Sequence, residues 1–594
     1  MLKIVIVSGG TGSIALQNGF DSLYGIENYQ IDVVINAYDN GKSTGECRRI
    51  FDGRILGPSD LRKNQMTLFK LIHKKALQNP DSYHSKLLAL FELRFTAKNH
   101  IEYYKLAYGY IKNAEYLSQE IKGMCLLWLD YFFFLDKEMD IYRESVEMEA
   151  FKDFSLANVF YAGCASLENN SLGRAGKRMA EILEIPDRVH LISDVNLYLK
   201  AYTEKGYLIE DEGDIVSWDN AEDKIREVKL FDCNGREYIP FVDEGNFTKV
   251  KRVFMEADII IFSSGTQWSS LIPTYLHHGF KNLIRECHAA KYLVMNNIED
   301  HDMYGISADG LLNILDKFLD LEEITVVTND LAAETMRTVS RTERWIHGDL
   351  SKKGSSKHIP EKIVLLIMKD YYKLEEEDIL ISDLDGTLWD DKADGVERKI
   401  GIENMGMFEG IILSGNSYEH VYKITREYFV NRQNNEIYCD YGNTYFTKDH
   451  GNDPLNLSTK FFIDNDLVEL LKSDKEFGKK MCLRGNVVLT IKPLADRERK
   501  LKEINRIIWN YKDRYRATIA GRTSIDIVKK DFNKEATLRM ILQKNSIEIK
   551  KVIYLGNELD DGNEVCIKNI GLRTLQMNDL YDTYVFLKTY QRLG

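Results

Sequence analysis

Short apolar runs that stop abruptly at a small or polar residue constrain this chain more than any other feature. Residues 3–7, 32–36, 259–262, 292–295 and 324–328 are such runs, rich in Val and Ile, and several give way to Gly, Ser, Asn or Asp. A strand buried on both faces reads as a near-continuous apolar run, and such strands interleaved with helical stretches build a parallel sheet covered on both sides. The expectation is therefore an α/β protein: a Rossmann-like parallel-sheet domain, then a second α/β domain. Residues 64–150 break the pattern with Leu, Tyr, Phe and Lys at helical spacing and almost no Gly or Pro, which predicts a helical insertion. A charged stretch over 369–378, KDYYKLEEED, precedes a fresh strand at Ile379-Leu380-Ile381, so the boundary is expected near residue 373, dividing 1–372 from 373–594.

Composition removes several functional classes. Lys plus Arg is 79 against 92 for Asp plus Glu, a net charge of −13, which argues against broad nucleic-acid or membrane-surface binding. No stretch approaches the roughly 20 apolar residues that span a bilayer. The nearest, residues 125–135, is cut by Asp130 and reads as a buried helix. Residues 1–7 run straight into glycines and read as a first strand rather than a signal peptide. Eight scattered cysteines without CxxC spacing exclude a zinc ribbon and suit a reducing cytoplasm.

The strongest local signal is Ile379-Leu380-Ile381-Ser382-Asp383-Leu384-Asp385-Gly386-Thr387. An apolar strand delivers two carboxylates to the sheet edge where open α/β folds do their chemistry. Attack on phosphorus needs an anionic oxygen, a cation to offset phosphoryl charge and an acid for the leaving group. Asp383 can serve as nucleophile and Asp385 as acid/base, with Mg²⁺ between carboxylate and phosphate; the plain alternative is a pair of helix caps. This half resembles the haloacid dehalogenase superfamily, whose first motif is DxDGT. Ile411-Ile412-Leu413-Ser414-Gly415-Asn416 is similar to its second motif, Lys534 in Asp531-Phe532-Asn533-Lys534-Glu535-Ala536 to its third, and Leu555-Gly556-Asn557-Glu558-Leu559-Asp560-Asp561 to its fourth. The resemblance implies that Ser414 hydrogen-bonds the phosphoryl group, that Lys534 steadies the charges, and that Mg²⁺ is held by Asp383 and Asp385 with Glu558 and Asp561. The usual aspartate after the glycine is Asn557 here.

The roughly 100 residues between the second and third motifs leave room for a cap, expected over about 440–525. Arg484-Gly485-Asn486-Val487-Val488-Leu489-Thr490 and Thr523-Ser524-Ile525-Asp526-Ile527-Val528 alternate like strands of a small α+β domain and are similar to cap segments of sugar-phosphate phosphatases and phosphomannomutases. That likeness implies that Arg484 grips a distal phosphate or carboxylate while Ser524 and Asp526 bind hydroxyls; solvent-facing strand residues are the alternative. The substrate would be a small phosphorylated metabolite.

In the first half, the opening strand runs into Ser8-Gly9-Gly10-Thr11-Gly12-Ser13 and then a helix. Glycines let backbone approach a phosphate, and a helix N-terminus offers unpaired N–H groups, although many such turns serve only packing. A second loop, Asn36-Ala37-Tyr38-Asp39-Asn40-Gly41-Lys42-Ser43-Thr44-Gly45-Glu46-Cys47-Arg48-Arg49, mixes a carboxylate, hydroxyls, glycines and cations, which suits a pyrophosphate with a metal ion. A third turn is Gly57-Pro58-Ser59-Asp60-Leu61-Arg62-Lys63.

Together these resemble the family of 2-phospho-L-lactate transferase and the bacterial gluconeogenesis factor, with its GGTG turn, DDGG-S-S/T-G loop and PGD-[IL]-R turn. Leu90-Phe91-Glu92-Leu93-Arg94-Phe95, Phe154-Ser155-Leu156-Ala157-Asn158-Val159-Phe160 and the block Ile261 to Pro273 are similar to later family blocks, so the resemblance covers about residues 1–330. It implies phosphate contacts from Gly9, Gly10, Thr11, Gly12, Asn40, Lys42, Ser43 and Arg62. It further implies a magnesium ion at Asp39 and Asp60, and nucleotide contacts from Asn158, Ser264, Gly265 and Thr266. Asn40 and Lys42 replace family residues and bring the loop nearer the UDP-sugar binders than the transferases.

The expectation is a bifunctional cytoplasmic enzyme. Its first half would transfer a phosphorylated small acid or alcohol from a nucleotide-diphosphate-activated donor to a hydroxyl; its second would be a Mg²⁺-dependent aspartate-nucleophile phosphatase. The alternative is a UDP-sugar-binding regulatory domain controlling a sugar-phosphate phosphatase or phosphomutase. Partners would be a nucleotide diphosphate and a small phosphorylated metabolite, with no nucleic acid or membrane; a homodimer is compatible with the sequence.

Overall fold

The protein is described here by a computed structural model. It covers all residues except 10, 136–150, 246–248, 298–300, 331–343, 352–356, 408–409, 430–434, 451–452, 493, 521–523, 561–563 and 593–594, and backbone alone for 11, 42, 43, 134, 135, 301, 429 and 448. Two compact units emerge, residues 2–371 and residues 372–594 with Met1.

In the first unit seven strands lie side by side in the order Trp345–Gly348, Thr325–Asn329, Ala290–Val294, Ile259–Phe262, Lys3–Ser8, Gln30–Ile35 and Val189–Leu191. Every neighbouring pair is parallel. Counted along the chain the order is 3-2-1-4-5-6-7, a Rossmann-like arrangement that reverses between the first and fourth strands. Ile4, Val5, Ile6 and Val7 are all buried, as a strand covered on both faces requires. The alternating runs predicted five of these strands. The other two are short and carry a histidine mid-run: His190 is buried, with Nε2 2.7 Å from Asp32 Oδ1, while His347 sits in the edge strand.

Helices Ser59–Ile72, Tyr83–Glu92, His100–Lys112 and Gln119–Asp130 occupy the stretch read as helical. Ser82, Asn99 and Ser118 cap the last three by accepting a backbone N–H from the first turn. A three-stranded antiparallel sheet, Leu208–Ile209, Tyr198–Thr203 and Ile225–Phe231, supplies a further wall.

The second unit has its own seven-stranded sheet, ordered Leu455–Asn456, Thr444–Phe446, Glu436–Cys439, Ile411–Leu413, Ile379–Ser382, Val552–Gly556 and Arg573–Gln576. The last five strands are mutually parallel, and Thr444–Phe446 runs antiparallel to both of its neighbours. The strand that carries the DxD sequence is interior to the sheet, and Ile381, Leu413, Tyr438 and Tyr554 share one core with helix Lys534–Lys544. Four antiparallel strands, Met481–Arg484, Val488–Ile491, Ser524–Lys529 and Tyr515–Ala520, form a smaller sheet. Together with helices Asn465–Lys472 and Arg497–Ile507 it makes an α+β subdomain with a separate apolar core.

Candidate functional site

In the first unit the loops after Lys3–Ser8 and Ile259–Phe262 meet where the strand order reverses, the position at which open α/β sheets bind ligands. The glycines there have an identifiable physical use. A Cβ on Gly9 would lie 2.3 Å from Ser270 Cβ, and one on Gly12 would lie 2.0 Å from the Ser264 carbonyl oxygen. Absence of side chains thus lets the two loops touch. A crevice of about 280 Å³ opens beside them, lined by Gly9, Gly12, Ser264, Gly265, Thr266 and Asp39 among others. Gly265 donates its N–H to Asn296 Oδ1 at 2.9 Å, while Thr266 Oγ1 lies 2.8 Å from the hydroxyls of both Ser269 and Ser270. Helix Thr11–Tyr24 begins at the same turn.

Acidic groups close the crevice on one side. Asp39 Oδ1 accepts the Gly41 N–H at 2.8 Å, and Asp60 pairs with Lys63 at 3.0 Å. Glu212, which no motif flagged, joins them. Burial, then the charges of Asp39 and Asp60, push its carboxyl up to about 8; burial likewise lifts Asp60 to about 6. Among the described residues no three His, Cys, Asp or Glu side chains are arranged as a metal-binding group.

A larger cleft of about 850 Å³ shares Asp39, Lys63 and Glu212 with the crevice and adds Arg48, Arg49, Arg62 and Arg94. Arg48 is buried: it donates to the carbonyls of Tyr38 (3.1 Å) and Leu197 (2.6 Å) and lies 4.5 Å above the Tyr198 ring. Asn40 lines this cleft, its Nδ2 3.5 Å from Asp211 Oδ2. Asn158, expected at the nucleotide, is instead fully buried on helix Leu156–Leu167, outside the lining of both spaces. Gly10 and Asp561, and the side chains of Thr11, Lys42 and Ser43, lie outside the described residues.

In the second unit Asp383 and Asp385 follow the interior strand Ile379–Ser382. Lys534, fully buried, donates to Asp383 Oδ1 at 2.9 Å and to Glu564 Oε1 at 3.0 Å. Glu564 also accepts from the Tyr554 hydroxyl and, at 3.1 Å, from the Glu558 N–H. Burial pushes the Asp383 carboxyl up, opposed by Lys534. Burial also pulls the Lys534 ammonium down, but Asp383 and Glu564 outweigh it and hold it above its ordinary value.

Asp385 differs. Burial would raise it, yet His420 Nε2 at 3.1 Å and Asn416 Nδ2 at 2.7 Å hold it below the usual carboxylate range. His420 in turn is raised by its hydrogen bond to Asp385. Ser414 Oγ lies 3.4 Å from Asp385 Oδ2 and accepts the Asn416 N–H at 3.0 Å. The loop expected to greet a phosphoryl group therefore also orients the second aspartate. Asn557 packs on Gly386, where a Cβ would meet its Nδ2 at 2.3 Å, and accepts from Thr387 Oγ1 at 3.3 Å.

The three residues expected to touch substrate from the smaller sheet are engaged internally. Arg484 donates instead to Asp526 Oδ2 (2.8 Å), Thr490 Oγ1 (2.8 Å) and the Gly415 carbonyl (3.1 Å). Asp526 takes a second bond from Thr490 at 2.7 Å, and Ser524 donates to the Ala520 carbonyl at 2.6 Å.

Residues 4–355 match the family described as 2-phospho-L-lactate transferase CofD. The chain belongs to the CofD family. Among its relatives, a putative gluconeogenesis factor of Thermotoga maritima is 25% identical over 295 residues, covering 50% of this chain and 68% of that protein. A second, from Aquifex aeolicus, is 20% identical over 390 residues, covering 62% and 96%. A solved member of the UPF0052 family from Bacillus halodurans is 17% identical and covers 62% of this chain and 99% of its own, with a TM-score of 0.42. IMP-nucleotidase of Plasmodium falciparum is 20% identical and covers 41% and 78%, with a TM-score of 0.29. The CofD-family segment contains the crevice and the larger cleft; the Asp383 site lies beyond it.

Proposed function

We propose that the chain is a bifunctional phosphate-handling enzyme. The CofD-family unit would bind a nucleotide-diphosphate-linked donor in the crevice and transfer a phosphorylated small acid or alcohol to a hydroxyl. The second unit would be a phosphatase of the haloacid dehalogenase type acting on a small phosphorylated metabolite. The observation that carries the second assignment is the unequal treatment of two aspartates two residues apart. Asp383 faces the Lys534 ammonium, whereas Asp385 faces His420 and Asn416. Environments that separate two carboxyls in this way suit a nucleophile and an acid/base.

In this reading an Asp383 oxygen attacks phosphorus and the ester P–O bond breaks. Asp385 passes to the leaving oxygen a proton shared with His420, then helps water open the aspartyl phosphate. Lys534 offsets charge on Asp383 throughout. Both donor sets are hard carboxylate oxygens, which suit Mg²⁺: Asp39 and Asp60 would hold it in the first unit, and Asp383 and Asp385 with Glu558 and Asp561 in the second, where it would neutralise phosphoryl oxygens. The decisive experiment is hydrolysis of a generic aryl phosphate by the full chain and by Asp383→Asn. Loss of at least about 10³-fold is expected for the variant, and equal rates would end the phosphatase assignment.

A second reading of the first unit is supported by its relatives' description as putative gluconeogenesis factors and by Asn40 and Lys42 in the second loop. The crevice would then bind a UDP-sugar without turnover and regulate the phosphatase or a phosphomutase. Product analysis separates the two: a transferase liberates a nucleoside monophosphate, and a sensor returns its nucleotide unchanged.

A further inference from the structure

In the larger cleft of the first unit, Arg62 has no hydrogen-bonded acceptor among the described residues. Arg62 stands in the first turn of helix Ser59–Ile72 and lines this space. The other four cations there each have an acceptor. Arg48 has two backbone carbonyls, Arg49 has Glu46, Lys63 has Asp60, and Arg94 has Asp153 at 2.9 Å. Among the described residues Arg62 has no hydrogen-bonded or ion-paired acceptor, and its Nε is buried without one. Burial draws the guanidinium below its ordinary value and the like charge of Arg94 adds to this, against the opposing influence of Tyr161 and the Asp60 carboxylate. A desolvated guanidinium with no hydrogen-bonded acceptor gains when an oxyanion arrives. The flat fork of a guanidinium matches phosphate and carboxylate oxygens.

We propose that Arg62 and Arg94 seat the phosphate or carboxylate oxyanion of a second small ligand, in a subsite separate from the nucleotide diphosphate. The size of the space agrees: about 850 Å³ lies within the range of small-molecule sites and exceeds the adjoining crevice of about 280 Å³. Asp39, Lys63 and Glu212 border both spaces, so two bound ligands would meet at those residues. This assigns Arg62 to the second ligand and not to the nucleotide. It rests on the reading of the crevice as a nucleotide site.

The test is calorimetry on the full chain, with 2-phosphoglycerate and inorganic phosphate as probes, alone and with saturating GDP or UDP. The expected result is that 2-phosphoglycerate binds in the presence of nucleotide. Arg62→Gln and Arg94→Gln should each weaken it at least tenfold while changing nucleotide affinity less than twofold. Arg94 is exposed, so its variant decides the matter should Arg62→Gln fail to fold. Competition between probe and nucleotide, equal weakening of both, or no binding of either probe to the unaltered chain would overturn the subsite. Probe binding that depends on Arg62 without any nucleotide binding would uphold it and remove only the nucleotide reading.

Discussion

Lys534 and Asp383 form an ion pair of 2.9 Å with almost no exposure to water, and Glu564 flanks the same ammonium from the other side. One cation thus serves two buried carboxylates, so removing it leaves both without a counter-charge.

Lys534→Met is accordingly expected to destabilise the second unit by about 3–5 kcal/mol, the usual cost of breaking a buried pair from one side. Urea denaturation followed by the fluorescence of that unit would read it. A loss below about 1 kcal/mol would mean that water reaches the pair.

His277 makes a pH prediction for the first unit. Its Nδ1 faces the Thr274 carbonyl at 3.0 Å and must donate, so Nε2 accepts from the Tyr38 hydroxyl at 3.0 Å. Burial lowers this imidazole from 6.5 to about 4. A base depressed in the folded state contributes stability that is present above about pH 6.5 and lost as the pH falls towards 4. The loss is on the order of 3 kcal/mol. Chemical denaturation at pH 7 and 4.5 should show a smaller acid loss for His277→Gln than for the unaltered chain.

Gly12→Ala should cost about 1–3 kcal/mol as an overpacked contact, because the new Cβ would fall 2.0 Å from the Ser264 carbonyl oxygen. The loops must part to admit it. A lowered melting temperature together with weaker nucleotide binding is the expected pair of results.

Asp39→Ala should abolish metal-dependent nucleotide binding by the first unit. Titration calorimetry with Mg²⁺ and nucleotide checks this, and unchanged affinity would remove Asp39 from the metal assignment.

Five strands of the first unit's sheet were legible because buried parallel strands leave an uninterrupted apolar trace, whereas Val189–Leu191 and Trp345–Gly348 are short and broken by a histidine; the Asp383 loop was legible because a strand ended in two acids. The residues that tune these groups were not. His420 lies four residues past Asn416, in the first turn of Tyr418–Phe429, so the Ser-Gly-Asn loop extended by a turn was the available signal. Glu564 reads as one more acid in a polar loop, yet it is fully buried because Lys534, distant in sequence, neutralises it. Glu212 belongs to a five-residue helix with no pattern of its own, and only the fold brings it beside Asp39. Local patterning reveals what the strands deliver; charge pairing across the fold is invisible to it. Arg484 shows the same limit: likeness to cap segments implied a ligand grip, while its bonds to Asp526, Thr490 and the Gly415 carbonyl could not be read from the sequence.

That arginine also has a mechanical consequence. Its guanidinium holds the Gly415 carbonyl from one strand of the smaller sheet, and the residues on either side of Gly415, Ser414 and Asn416, both contact Asp385. Tilting the smaller sheet would tug on the peptide between them, so its posture is transmitted to the aspartate through that bond.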